Sequence, residues 1–179
     1  MAEAPRESWL NWVALTTTIL AVAASLASLR GSSYSTRTTL LTTLEANQWS
    51  YFQSKSIKQH TLEGQRDLFE VLQRSAVQPG EPEAIERKLE AYRADISRYE
   101  KEKAEIKKEA ESLSAQEDRH KMRSGNFGVA AMLLQIAIMM SGVSALLRIR
   151  KAWYFGMAVG GVGLVYMFNG FFLFAPLLF

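Results

Sequence analysis

The sequence predicts an all-α integral membrane protein with three transmembrane helices and a long antiparallel coiled-coil hairpin between helix 1 and helix 2. Three observations favour this fold class. Three long stretches near the two ends of the 179-residue chain carry no charge. The section between them is rich in charge and repeats an apolar residue at alternating steps of three and four. A segment containing proline and glycine divides that section into two nearly equal halves.

The first element is a predicted transmembrane helix over residues 9–29, after an N-terminal tail of residues 1–8. This uncharged stretch is long enough to cross the bilayer core, which takes about 20 apolar residues. Trp9 and Trp12 at its start suit the membrane interface. A cleaved signal peptide is the alternative, because "AVAASLAS" offers small-residue cleavage sites. The length of the apolar run favours the transmembrane helix.

Two more transmembrane helices are predicted over residues 127–147 and 152–175, both free of charge. The basic loop 148–151 between them is too short for anything but a tight helical hairpin, and residues 176–179 form a C-terminal tail. Glycines at four positions of the third helix allow close helix approach. These are Gly156, Gly160, Gly163 and Gly170.

The orientation follows from the distribution of basic residues. Short basic loops remain in the cytoplasm, so residues 148–151 favour a cytoplasmic N-terminus and a periplasmic middle section. The basic residues Arg119, Lys121 and Arg123 beside the second span favour the opposite orientation. We expect the periplasmic arrangement in the inner membrane.

The middle section, residues 30–126, is predicted to be a helical hairpin with its turn at 77–82, where Pro79, Gly80 and Pro82 interrupt the helix. Its second half keeps an a/d heptad pattern over four repeats, with charged residues between, as a coiled coil requires. The a/d residues are Ile85, Leu89, Tyr92, Ile96, Tyr99, Lys103, Ile106, Ala110 and Leu113.

The first half has a less regular frame, apolar at its ends and polar in its middle. We place its a/d positions at Leu41, Leu44, Gln48, Tyr51, Lys55, Lys58, Leu62, Gln65, Phe69, Leu72 and Ala76. A turn at 79–80 pairs residue i with about residue 159 − i. Glycines lie at both roots of the hairpin and can bend or interrupt the helices there. They are Gly31, Gly125 and Gly128.

The segment "NQWSYFQSKSIKQH", residues 47–60, combines aromatics, glutamines and lysines. The predicted register places Trp49 opposite Ala110, and Lys55 and Lys58 opposite Glu102 and Glu105. One interpretation is that the aromatics fill the seam and the lysines pair across it. The other is a subunit interface. Its candidate residues are Asn47, Gln48, Trp49, Tyr51, Phe52, Gln53, Lys55 and Lys58.

This segment also carries a resemblance. The core Trp49, Phe52, Gln53, Lys55, Ile57 and Lys58, together with "WVALTTTILAV" and "LLQIAI", resembles the bacterial membrane-protein family called domain of unknown function 4337. The resemblance covers nearly the whole chain. It implies the membrane topology and a bacterial inner membrane, but no catalytic residues. The N-terminal tail lacks the histidines typical of the family, so a metal role for the tail is not supported.

Composition argues against several kinds of chemistry. Between Arg30 and Arg123 there are 17 Lys+Arg and 16 Asp+Glu, so the charged section has no basic surplus for nucleic acid. Cysteine is absent, which excludes disulfides and cysteine-ligated metals. His60 and His120 lie far apart in the predicted hairpin, and the serines lack a His/Asp context. We therefore expect no enzyme activity, no cofactor and no metal site.

Two polar residues lie within the predicted spans, Gln135 and Asn169, about one helical turn apart in depth. Hydrogen bonding between helices is the simpler interpretation. Lining a path for ions or solutes is the alternative, although neither residue is charged.

These features predict a non-enzymatic inner-membrane protein that forms a homo-oligomer and serves as a structural scaffold or protein-interaction element through its coiled coil. Membrane lipid and a protein partner at the coiled coil are the expected contacts. The alternative is a subunit of an oligomeric channel or transporter, with a pore lined by transmembrane helices 2 and 3.

Overall fold

In a computed structural model the chain is all-α, with three long helices packed as antiparallel hairpins. Helix α1 spans Ser8–Arg74, α2 spans Pro82–Leu147 and α3 spans Arg150–Phe172. The structure describes residues 8–74 and 82–175. All three helices contain a segment long and apolar enough to cross a membrane. The predicted turn at 77–82 lies outside the described residues except for Pro82, the first residue of α2, where proline is well tolerated.

The chain divides into two compact units. The first, here called the span unit, comprises Met1–Thr39 and Glu117–Phe179. The second, the helical-pair unit, comprises Leu40–Gln116. In the helical-pair unit we call residues 40–74 arm one and residues 84–116 arm two.

The span unit packs through small residues. Its core is mainly alanine with a few larger side chains, including Leu20, Leu134 and the fully buried Phe127. A Cβ at Gly160 would lie 3.0 Å from Leu20 and 3.2 Å from Ala137, and one at Gly163 would lie 3.1 Å from Leu134. The close approach predicted for the α3 glycines is confirmed, because a Cβ at these positions would be closer to both other helices than ordinary van der Waals contact.

Of the two effects considered for these glycines, a bend or an interruption, the structure shows no interruption. Helix α1 runs without a break through Gly31, and α2 through Gly125 and Gly128. Gly31 instead permits helix contact, since a Cβ there would lie 3.2 Å from the Cβ of Phe127. A single glycine within a long helix costs about 1 kcal/mol relative to alanine, which tertiary packing readily offsets.

The link between α2 and α3 is shorter than the predicted loop 148–151. Arg148 has a φ of 55° and Ile149 is the N-cap of α3, so only two residues separate the helices. The Ser144 hydroxyl donates a 2.8 Å hydrogen bond to the carbonyl of Ile149, and the Ile149 amide donates to the carbonyl of Ser144. These bonds satisfy backbone groups at the end of α2 and fix the tight hairpin.

Arm two behaves as its heptads predict. All nine predicted a/d residues are at least partly buried, and Leu89, Ile96, Ile106 and Ala110 are among the most buried. The antiparallel register is also confirmed, because Phe69 meets Tyr92 with ring centroids 5.9 Å apart and Lys55 meets Glu102.

The frame predicted for arm one is half wrong. Leu41, Gln48, Lys55, Leu62 and Phe69 do face inward. The other inward positions lie one residue later than predicted. The predicted residues at these positions are exposed: Leu44, Tyr51, Lys58, Gln65 and Leu72. The residues that turn inward instead are Glu45, Phe52, Gln59 and Arg66. The predicted frame used Leu44 and Tyr51 because they are apolar, whereas the residues that actually face inward are mostly polar.

Candidate functional site

The segment 47–60 divides into an inward and an outward face. Gln48, Phe52 and Lys55 are partly buried and Gln59 is buried against arm two. The other predicted interface residues, Asn47, Trp49, Tyr51, Gln53 and Lys58, are exposed. The two interpretations made from the sequence therefore apply to different residues of the same segment.

An ion pair crosses the inward face. Lys55 Nζ lies 2.6 Å from Glu102 Oε2. The Lys55 ammonium lowers the pKa of the Glu102 carboxyl, and the carboxylate raises the pKa of Lys55. Lys55 also lies over the rings of Tyr51 and Tyr99, 5.1 and 5.3 Å from their centroids. The predicted pairing is confirmed for Lys55, whereas the exposed Lys58 has no carboxylate within 4 Å in the described part of the chain.

A buried glutamine forms the polar centre of the seam. Gln59 Oε1 accepts a 3.1 Å hydrogen bond from Lys103 Nζ, and Gln59 Nε2 donates a 2.8 Å hydrogen bond to Glu63 Oε1. Lys103 Nζ also lies 5.2 Å from the centre of the Phe52 ring. The prediction missed Gln59 as an inward residue. The available signal was Lys103 itself, the one charged residue in the a/d pattern of arm two, which needs an acceptor on the opposite arm.

Trp49 lies at the flank of the seam. Its ring is 38% exposed and packs edge-on against Phe52, with centroids 5.7 Å apart. Its indole N–H donates a 3.1 Å hydrogen bond to Glu45. Ala110 is fully buried, as expected of a small residue facing arm one. Trp49 therefore shields the seam and leaves part of its ring at the surface.

An apolar strip lies on the outer side of arm one. Leu40, Leu44 and Tyr51 are 58%, 42% and 49% exposed, and their spacing places them with Asn47 on one side of the helix. We call these four residues the Leu44–Tyr51 face. In arm two, by contrast, no large apolar side chain between Ala84 and Gln116 is exposed. Exposed apolar residues at helical spacing are typical of a surface that packs against another helix.

The two polar residues of the predicted spans lie in different environments. Asn169 is fully buried, and its amide donates hydrogen bonds to Asn126 Oδ1 (2.9 Å) and to the carbonyl of Ala175 (2.8 Å). The side-chain oxygen Oδ1 of Asn169 accepts a hydrogen bond from the backbone amide of Ala175. Asn169 thus holds the chain end after α3 against the start of the second predicted span. Gln135 is exposed on α2, so the structure does not bring the two residues together.

The histidines have separate local partners. His60 Nδ1 lies 2.8 Å from Glu63 Oε2. The His120 ring lies 5.5 Å from the ring of Tyr34. Burial, with the charges of Arg37 and Arg123, lowers the pKa of His120. Within residues 8–74 and 82–175, no group of three His, Asp, Glu or Cys side chains is placed to hold a metal ion.

Comparison with known proteins identifies a family. No curated protein and no solved structure matches the chain. Residues 9–173 match the family described as Domain of unknown function (DUF4337). This match extends through all three helices and most of the chain, so the chain belongs to the DUF4337 family.

Proposed function

We propose that this chain is a non-enzymatic, multi-pass protein of the bacterial inner membrane, with three transmembrane helices and a coiled-coil hairpin. It forms a homo-oligomer and acts as a structural scaffold or protein-interaction element through the helical-pair unit. The three apolar helices support the membrane location. The heptad burial of arm two supports the coiled coil.

The observation that carries the proposal is the Leu44–Tyr51 face. A two-helix pair buries only a narrow seam, and this face leaves Leu40, Leu44 and Tyr51 exposed to solvent beside it. Burying apolar side chains against a second copy stabilises association by about 25 cal/mol for each Å² removed from water. Asn47 on the same face adds an amide that can hydrogen-bond across such an interface.

Helix α2 supports association within the membrane as well. Gln135 is exposed near the middle of the second predicted span, where an amide facing lipid lacks hydrogen-bond partners. Gly128 and Gly142 lie seven residues to either side, on the same side of the helix, with open space beyond each Cα. A helix from a second copy could approach closely there and bond to Gln135.

The mass of the purified chain in detergent tests self-association. Light scattering coupled to size exclusion is expected to show an oligomer, and Leu44→Ser with Tyr51→Ser should shift it toward the monomer. Ile57→Ser with Val71→Ser is the matched control, because both residues are exposed and lie two heptads apart on a different side of arm one. A monomeric unsubstituted chain, or equal dissociation of both double variants, contradicts the proposal.

The proposed orientation places the N-terminus in the cytoplasm and the helical-pair unit in the periplasm. Ile57 is 67% exposed, and the chain has no cysteine of its own. In the proposed orientation, Ile57→Cys in intact spheroplasts should react with a membrane-impermeant maleimide. Labelling only after lysis would place the helical-pair unit in the cytoplasm.

A channel or transporter subunit is the second candidate function, and exposed Gln135 is the observation that favours it. Copies associating around this residue would bring several amides together inside the membrane, whereas the Asn169 amide is already bonded within its own chain. The test is ion flux into proteoliposomes. If flux occurs and Gln135→Leu abolishes it while leaving the oligomer intact, a pore replaces the scaffold as the function. We expect no flux.

A further inference from the structure

The two units differ in how their charges are paired. Eight ion pairs occur among the described residues, and all of them lie within the helical-pair unit. The eight basic residues that the structure describes in the span unit have no carboxylate within 4 Å in the described chain. We call the five that lie next to the first two predicted spans, on the side of the helical-pair unit, the basic collar: Arg30, Arg37, Arg119, Lys121 and Arg123.

The collar has a net positive charge that the composition of the whole middle section conceals. Glu117 and Asp118 are the acidic residues in the segments 30–39 and 117–126 that carry the collar, and neither forms an ion pair with it. The helical-pair unit, in contrast, has more acidic than basic residues. The positive charge is therefore concentrated next to the predicted spans 9–29 and 127–147.

Part of the collar is held in place by aromatic rings. The Arg123 guanidinium donates a 3.1 Å hydrogen bond to the Tyr34 hydroxyl and lies 5.5 Å from that ring's centre. Arg123 Nε is buried and has no hydrogen-bond partner. Arg30 lies over the Phe171 ring, 5.9 Å from its centre. These contacts position the cations without neutralising them.

An open cavity of about 250 Å³ lies beside the collar. It is lined by the Lys121 side chain, by the hydroxyl residues Ser35, Thr38 and Ser124, and by Gly125. The Thr38 and Ser124 hydroxyls donate to the backbone carbonyls of Tyr34 and Gly31. The Lys121 ammonium is therefore the main donor suited to a phosphate group, which offers several strong acceptor oxygens. Basic pockets at the ends of membrane helices bind lipid headgroups by this chemistry.

We propose that the basic collar and its cavity bind the phosphate of an anionic phospholipid headgroup. This inference rests on the proposed membrane location, which places the collar at the level of the headgroups. Charge complementarity identifies the occupant, because a surface of unpaired cations at this depth faces anionic lipid. Lys121 contacts the phosphate in the cavity, and the surrounding arginines hold the anionic headgroup electrostatically.

Native mass spectrometry of the full chain in detergent tests the site. The chain is titrated with phosphatidylglycerol, phosphatidylcholine or inorganic phosphate. Arg37→Gln with Lys121→Gln should weaken phosphatidylglycerol binding roughly 30-fold, at about 1 kcal/mol per basic side chain. Lys101→Gln with Lys108→Gln removes the same charge from exposed positions of arm two and should leave binding unchanged.

Two further variants distinguish a specific phosphate-binding site from nonspecific electrostatic attraction between the collar and the lipid. Lys121→Gln alone should weaken binding about fivefold. Ser35→Leu keeps every charge but fills the cavity and should also weaken phosphatidylglycerol binding. Circular dichroism checks that each variant retains its helices.

Three results would overturn the proposal. The double variants of the collar and of arm two could weaken phosphatidylglycerol binding equally, or no collar variant could change it. The third is that inorganic phosphate binds as tightly as phosphatidylglycerol. The last would assign the cavity to a free anion. The same spectra give the oligomer mass of the unsubstituted chain, so a failure of self-association is distinguishable from a failure of lipid binding.

Discussion

The two arms of the helical-pair unit are similar in length but have different surfaces. Arm two places every large apolar side chain inward and presents charge to solvent. Arm one turns Glu45, Gln59 and Arg66 at least partly inward and leaves Leu44 and Tyr51 outside. Arm two buries its apolar side chains against one partner helix. Arm one has apolar residues for a second partner, and this difference is the basis of the proposed self-association.

The largest expected effect comes from the seam of arm two. Ile106→Ala should lower the free energy of unfolding by about 2–3 kcal/mol, the low end for this substitution, because a two-helix seam can partly collapse around the gap. Ile57→Ala on the outside of arm one should change it by less than about 0.5 kcal/mol. Thermal melts of helicity on the full chain in detergent measure both. Equal destabilisation would mean that Ile57 is covered within one chain.

A smaller loss is expected at the polar centre of the seam. Gln59→Ala leaves Lys103 Nζ without its closest acceptor and should destabilise the pair by about 1–2 kcal/mol. Gln53→Ala is the control, since Gln53 lies on the same arm but is exposed. Equal stability of the two variants in the same melts would show that water replaces Gln59 without cost.

The smallest effect is a dependence of stability on pH. Because Lys55 lowers the pKa of Glu102 in the folded state, the unfolded state binds more protons as the pH falls. The contribution of this ion pair is therefore present above the ordinary carboxyl pKa and is lost on acidification below it. Lys55→Gln should flatten the change in melting temperature between pH 7 and pH 4. An unchanged profile would show that the pair contributes nothing measurable.

The sequence predicted the parts of the fold that depend on strong periodicity. The uninterrupted heptads from Ile85 to Leu113 fixed the face of arm two, and charge-free length identified three candidate spans. Arm one has two overlapping patterns, one through Leu44 and Tyr51 and one through Phe52 and Gln59. Apolarity favoured the first, although the seam uses the second.

The contacts of the candidate sites depend on distant partners that periodicity does not reveal. The bond between Asn126 and Asn169 joins residues 43 positions apart. Basic and acidic residues nearly balance over residues 30–123 as a whole, which conceals the basic collar, because ion pairing differs between the parts of this section. Lys103 was a signal that could have been used, since a lysine in an apolar seam requires an acceptor such as Gln59.

Crosslinking of single cysteines tests the central claim most directly, because the chain has no cysteine of its own. Asn47→Cys places a thiol within the Leu44–Tyr51 face, and Ala104→Cys places one at an exposed position of arm two. With a short bis-maleimide in native membranes, Asn47→Cys should yield covalent dimers and Ala104→Cys should remain monomeric. Dimers from Ala104→Cys at equal yield, or monomers alone from Asn47→Cys, would contradict self-association through arm one.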